Sequence, residues 1–178
     1  YLRDFEVLSG DGKPTALATT SWALIDGRKG RHAADDDILP HLPSLERRAI
    51  EAGIESLPIL ENPRFFDPIT VGAGSLDMYN HVNHVFYIQW ALDCVSPGIA
   101  DGTLPWSVEA SFRASAVMGD RLVLSLQADG KDGAWLHSLT REKDGREMTR
   151  LRSRWRGQPG LEGDGPLSGA PGNPGPGG

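Results

Sequence analysis

The sequence predicts an α+β fold in which an antiparallel sheet wraps around one central helix. Apolar residues recur at helical spacing from about 82 to 95. Alternating stretches, separated by short turns that contain Gly or Asp, follow at about 106–117, 121–129, 134–143 and 147–156. One strand, at 65–73, precedes the helix, so the order is strand, helix and a meander of four strands.

The composition favours an ordinary globular protein. The chain has 178 residues, enough for one domain or one and a fraction, and its net charge of −6 argues against nucleic acid as the main partner. We find no apolar run that could cross a membrane and no signal peptide. The single cysteine, Cys94, rules out an internal disulfide and fits a reducing compartment. We therefore expect a cytoplasmic location.

The first third of the chain reads as a separate piece. Alternation predicts strands at 3–8 and 15–25, which form a hairpin around the turn at 10–14. Residues 26–43 read as a loop whose three adjacent acids, Asp35–Asp37, are solvated rather than metal-binding. Ser44 then caps a short linker helix at 45–52, within a linker over 44–62. At the other end, Gly and Pro dominate residues 158–178, which predicts a disordered tail.

The stretch Ser75–Trp90 is the candidate functional segment. Its first part is polar and turn-prone and carries Asp77, Asn80 and His81, and it runs directly into the predicted helix. A helix start has unpaired N–H groups and the positive end of the helix dipole. Such groups can hold the oxygen of a polarised carbonyl while a nearby carboxylate directs a water. This combination suits cleavage of an acyl group.

The same stretch resembles the signature D-x-x-x-H-V-N-N-x-x-Y of hotdog-fold thioesterases. The chain is most similar to the acyl-ACP thioesterases, which carry two hotdog repeats. Asp77, His81 and Asn83 match the pattern, whereas Tyr79 and His84 each stand where the family has Asn. The segments Arg3–Val7 and Ser21–Asp26 also resemble the phrase that closes the first repeat of that family.

The resemblance implies a complete hotdog repeat over 63–157, preceded by the closing strands (1–43) of a truncated first repeat. It implies hydrolysis of fatty acyl thioesters, most naturally acyl-ACP in fatty acid biosynthesis, without a metal or other cofactor. The expected partners are acyl carrier protein or acyl-CoA, and a second copy that forms a homodimer through the sheets. Three alternatives remain: an acyl-CoA thioesterase, a hotdog dehydratase, and an acyl-binding protein that has lost catalysis. The last is favoured by Tyr79 and by Ser115, which stands where the family has a second acid.

The resemblance also assigns roles within the motif. Asp77 would be the base or nucleophile, or merely a cap for the turn. His81 and Asn83 would position the water and the loop. The N–H groups of Val82 and Asn83 would receive the oxyanion, and Tyr79 and Asn80 would contact substrate.

Three features outside these roles also need an interpretation. Cys94 lies thirteen residues beyond His81, roughly 20 Å along a helix, so we interpret it as packing rather than as a nucleophile. His84 is interpreted as structural. On the last strand, alternation places arginines on one face, opposite Leu151 and Trp155: Arg150, Arg152, Arg154 and Arg156. They either dock an acidic carrier or form a charged outer face that protects an edge strand.

Overall fold

A computed structural model describes residues 1–23, 25–26, 31–32, 47–51, 53–95, 103–130 and 133–155. The chain divides into two compact units, Tyr1–Glu55 and Ser56–Gly178. The predicted acidic loop at Asp35–Asp37 and the predicted tail at 158–178 lie outside the described residues. No helix in the described ranges has the length and apolar character that a membrane crossing requires.

The first unit contains the predicted hairpin. Strands β1 (Leu2–Leu8) and β2 (Pro14–Ser21) pair antiparallel around a turn in which Gly12 adopts φ +79°. A two-residue ladder follows between β3 (Ile25–Asp26) and β4 (Arg31–His32). The predicted linker helix is wrong for the part that is described, because residues 47–51 are not helical.

The second unit is the predicted sheet with its helix. The elements are β5 (Arg64–Phe65), β6 (Ile69–Thr70), α1 (His84–Asp93), β7 (Pro105–Phe112), β8 (Arg121–Ala128), β9 (Ala134–Arg141) and β10 (Glu147–Trp155). The strands pair antiparallel in the order β5-β8-β9-β10-β7, and β6 also pairs with β8. The antiparallel sheet and central helix are confirmed, and β7 is the last strand in this order among the described residues.

Two predicted strands are shorter in the structure. The strand expected at 65–73 is divided into β5 and β6, because Pro68 lies between them and has no N–H to donate to the ladder. The strand expected at 106–117 leaves the sheet after Phe112, since the N–H groups of Arg113 and Ala114 both approach the same carbonyl of Met148. The segment after β7 is thereby turned toward the helix.

The helix packs across β9 and β10 through a face one position away from the predicted one. The pattern Val82, Val85, Phe86, Gln89, Leu92 suggested the buried stripe. In the structure the buried positions of the helical segment are instead Tyr87, Ala91 and Cys94, and Val85 is 62% exposed. These buried side chains join the main apolar core with Val71, Val82, Ala116, Leu122, Leu124, Leu139, Met148 and Leu151.

Candidate active site

The motif forms a tight loop at the start of α1. Leu76 and Val82 make an isolated antiparallel bridge, and the Asp77 N–H donates to the His81 carbonyl at 2.8 Å. Asn80 adopts φ +59°, a left-handed conformation that Asn tolerates better than most residues. The chain therefore reverses over residues 77–81 and presents Met78, Tyr79, Asn80 and His81 at the surface.

Asp77 holds this loop together from within. Its Oδ1 accepts two hydrogen bonds, from the Tyr79 N–H at 2.8 Å and from the His81 N–H at 3.1 Å. The capping role considered for Asp77 is thus present. Its Oδ2 has no partner within the part of the chain that the structure describes. One oxygen fixes the orientation of the carboxylate, and the other is available to a water or a substrate.

The helix starts two residues later than predicted. Asn83 is the N-cap: its Oδ1 accepts from the Val85 N–H at 3.1 Å, and its own N–H donates to the Ser75 carbonyl at 2.9 Å. The Val82 N–H donates to the Ala116 carbonyl at 2.9 Å. The N–H groups expected to receive an oxyanion are therefore already satisfied, and the structure differs from that assignment. Within the described ranges the N–H of His84, which opens the helix, has no hydrogen-bond acceptor.

A buried contact behind the loop was not anticipated from the sequence. The Tyr87 hydroxyl accepts a hydrogen bond from the Ala116 N–H at 2.9 Å, and both residues are almost completely buried. Burial raises the pKa of the Tyr87 phenol, so the group stays neutral. Ser115 is adjacent in sequence to Ala116, whose carbonyl accepts a hydrogen bond from Val82 at the end of the motif loop. The only signal in the sequence was the Tyr of the signature, without a partner.

An apolar strip lies beside the helix start. The His84 ring stacks on Phe112 with centroids 4.0 Å apart, which agrees with a structural role for His84. Trp106, Val108 and Phe112, on edge strand β7, are all exposed. Val108 and Phe112 pair with Ser153 and Thr149 of β10, which lie on the same face of that strand as the core residue Leu151. Both side chains are therefore on the helix side of the sheet. Val108 and Phe112 thus present apolar surface beside the end of the motif loop.

The sequence profile of the acyl-ACP thioesterase C-terminal domain matches residues 61–157, more than half of the chain. The chain belongs to the acyl-ACP thioesterase family. Its curated relatives include oleoyl-acyl carrier protein thioesterases 1 and 2, chloroplastic, of Arabidopsis thaliana, which are 27% and 23% identical to it and match 83% and 82% of it. The chain spans about half the length of these relatives, 48% of each.

Solved structures of the family have the same fold. The 12:0-ACP thioesterase from Umbellularia californica matches with a TM-score of 0.74 at 22% identity, over 87% of this chain and 62% of that one. An acyl-ACP thioesterase from Bacteroides thetaiotaomicron gives 0.72 at 20% identity, over 86% and 62%. These likenesses confirm the hotdog fold of this acyl-ACP thioesterase family member.

The arginines of β10 do not form the exposed stripe that carrier docking would need. They share one face, as predicted, but each is paired: Arg150 with Glu147, Arg152 with Asp129, and Arg154 with Glu109. Arg150 is buried, bonds both oxygens of Glu147 at 2.8 Å, and donates to the Leu57 carbonyl at 2.9 Å. Arg156 lies outside the described residues.

This pairing gives Arg150 a structural role. It attaches the segment before β5 to the outer face of the sheet, where Gln127 Oε1 also accepts from the N–H groups of Glu61 and Asn62. The compact unit accordingly begins at Ser56, earlier than the predicted boundary at 63. For Arg150, the structure contradicts an exposed docking site.

Two other titratable side chains lie in the interior of this family member. Burial raises the pKa of the Cys94 thiol to about 12, which supports the packing interpretation because the thiol stays protonated. His137, which the sequence analysis missed, is completely buried between α1 and the sheet. Its Nε2 is 2.8 Å from Ser153 Oγ, and its Nδ1 has no hydrogen-bond partner among the described residues. Burial lowers the pKa of His137 to about 4, although the backbone of Ala91 has a smaller effect that raises this pKa.

No cluster of three or more His, Cys, Asp or Glu side chains that could hold a metal occurs among the residues described.

Proposed function

We propose that this chain hydrolyses fatty acyl thioesters, with acyl-ACP as its substrate, and releases a free fatty acid and the carrier thiol. The observation that carries the proposal is the Asp77 carboxylate, which is oriented by two backbone N–H groups through one oxygen and available through the other. The match to the acyl-ACP thioesterase C-terminal domain, which includes this loop, supports the reaction class. The names of the relatives support the carrier.

In this mechanism the free oxygen of Asp77 either takes a proton from the attacking water or attacks the thioester carbonyl itself. In the first route the water oxygen forms the new C–O bond as the C–S bond breaks, and the proton taken by Asp77 passes to the sulfur, which leaves as the carrier thiol. In the second route the C–S bond breaks as Asp77 forms a mixed anhydride. The thiolate then takes a proton from a water molecule, and the hydroxide so formed opens the anhydride to give the free fatty acid and the Asp77 carboxylate. The exposed side chains of Tyr79, Asn80 and His81 contact the thioester and the water. Asn83 acts through the loop, because its backbone and side chain fix the junction with the helix.

We assign the oxyanion role to the backbone N–H of His84, because the N–H groups of Val82 and Asn83 already have acceptors. This N–H belongs to the first residue of a ten-residue helix and lies at the positive end of the helix dipole. A donor that is already oriented stabilises developing negative charge without reorganisation during the reaction.

The test is Asp77→Asn, because the amide oxygen can still accept the two loop hydrogen bonds while the charge is lost. We expect thiol release from a fatty acyl-ACP to fall by at least about a hundredfold, in the range of a lost general base. Asp67→Asn, at an exposed position outside the loop, serves as the matched control and keeps its activity. Full turnover in folded Asp77→Asn would remove Asp77 from the mechanism. The same acyl chain on CoA distinguishes the carriers.

A second candidate is an acyl-binding protein without catalysis. Ser115 favours it, because this position adjoins the support of the motif loop and carries no carboxylate. Acyl-ACP binding without thiol release, at any enzyme concentration, would identify this function.

We also propose that a second copy of the chain covers edge strand β7. Among the strands that the structure describes, β7 pairs with β10 on one side, and Val108 and Phe112 on it expose apolar surface. Free strand edges and apolar patches of this kind favour pairing with another chain. The molar mass in solution, measured by light scattering, tests for this homodimer. The cytoplasmic location remains an expectation from the sequence.

A further inference from the structure

Ala116 connects three parts of the domain around the motif loop. Its carbonyl accepts from the Val82 N–H at 2.9 Å, and its N–H donates to the Tyr87 hydroxyl at 2.9 Å. Val82 ends the bridge that closes the motif loop, and Tyr87 lies one helical turn beyond the N-cap. A single buried peptide segment is thus held by the helix and in turn holds the loop.

The segment that contains Ala116 has left the sheet, so strand pairing does not fix it. Upstream, Arg113 and Ala114 still contact the Met148 carbonyl. Downstream, Asp120 Oδ2 accepts from the Val117 N–H at 3.1 Å. Between these anchors, the Tyr87 hydroxyl accepts the hydrogen bond of the Ala116 N–H.

We propose that Tyr87 is a positioning residue for thioester hydrolysis. Its phenol oxygen accepts a hydrogen bond from the Ala116 N–H and so fixes the position of the Ala116 peptide. The Ala116 carbonyl is then oriented to accept from the Val82 N–H, at the base of the loop that carries Asp77. The inference rests on the proposed function. It separates two contributions of Tyr87: the ring fills the core, and the oxygen sets the loop. Phe would keep the first and lose the second.

The experiment compares Tyr87→Phe with wild type in steady-state hydrolysis of acyl-ACP and in amide hydrogen exchange. We expect kcat to fall about 10- to 100-fold with little change in KM, because misplacement of a catalytic group by about 1 Å costs up to about a hundredfold in rate. We also expect the Val82 and Ala116 amides to exchange faster. Leu126→Val, in the separate apolar cluster with Val95 and Trp155, is the control for lost packing.

The outcomes separate this inference from the proposed function. A wild-type protein without hydrolytic activity refutes the proposed function, and the exchange data then still decide whether the Tyr87 oxygen holds the loop. If wild type is active, unchanged exchange at Val82 in Tyr87→Phe overturns the inference. An unchanged kcat in Tyr87→Phe overturns it as well. So does an equal loss of kcat in Leu126→Val at a matched melting temperature, because the effect would then be one of general stability.

Discussion

Replacing His137 with Gln is expected to flatten the pH dependence of stability between pH 7.5 and pH 5. The imidazole is completely buried between the helix and the sheet, and burial lowers its pKa from 6.5 to about 4. Between these two values the unfolded chain binds a proton that the folded chain excludes. Stability therefore falls as the pH drops below 6.5 and continues to fall until about pH 4.

The size of the effect follows from the two pKa values. One pKa unit corresponds to about 1.4 kcal/mol, so the full contribution is about 3 kcal/mol. About 2 kcal/mol of this is lost between pH 7.5 and pH 5. The lower end of that range stays above the pKa of Asp144, which Arg141 lowers to about 2, so this salt-bridged carboxylate adds little there.

Urea unfolding at a series of pH values measures the effect. Wild type should lose about 2 kcal/mol across this range relative to His137→Gln. Ser153→Ala, which removes the partner of Nε2 but leaves the ring buried, should lower stability and keep the wild-type slope. Identical slopes in wild type and His137→Gln would refute the reasoning, as would an NMR titration of His137 with a midpoint above pH 6.

Two further predictions concern the sheet. Arg150→Gln should lower the free energy of unfolding by about 2–4 kcal/mol, because Glu147 and the Leu57 carbonyl lose a buried partner, whereas Arg154→Gln should cost at most about 1 kcal/mol. A selective rise in the KM for acyl-ACP in Arg154→Gln, without loss of stability, would restore the docking interpretation. Val108→Lys on β7 should shift the proposed homodimer to monomer in light scattering, whereas a dimer that persists in this variant argues against pairing at this edge.

The fold was predictable because its signals are local. Alternation placed β8, β9 and β10 within a residue or two of their observed bounds, and Gly119, Gly130 and Gly145 mark positive-φ turn positions. The strand predicted at 65–73 is too long because Pro68 divides it into β5 and β6. The buried face of the helix lies one position from the predicted one: Tyr87 is buried with a partner for its hydroxyl, whereas Val85 is exposed.

The site was harder to predict because its contacts are long-range. Nothing near Val82 in the sequence indicates that its N–H is taken by Ala116, thirty-four residues later. Arg152 and Arg154 looked unpaired for the same reason: Asp129 lies just after β8, and Glu109 lies on β7. Their shared face was predictable from alternation, but their availability to a carrier depended on carboxylates that only the tertiary structure brings close.

The spacing of the motif has a physical reason that precedes its chemistry. Asp77 Oδ1 accepts from the N–H groups of the residues two and four positions later. The carbonyl of the second of these, His81, also accepts from the Asp77 N–H. A carboxylate followed by three residues and His therefore describes a closed loop, with a left-handed residue at Asn80 to complete the turn. Position 79 contributes only its N–H to that loop, which Tyr supplies as well as Asn. Tyr at position 79 therefore leaves the orientation of Asp77 unchanged and alters only the side chain that faces the substrate. We expect it to affect KM and substrate preference rather than folding.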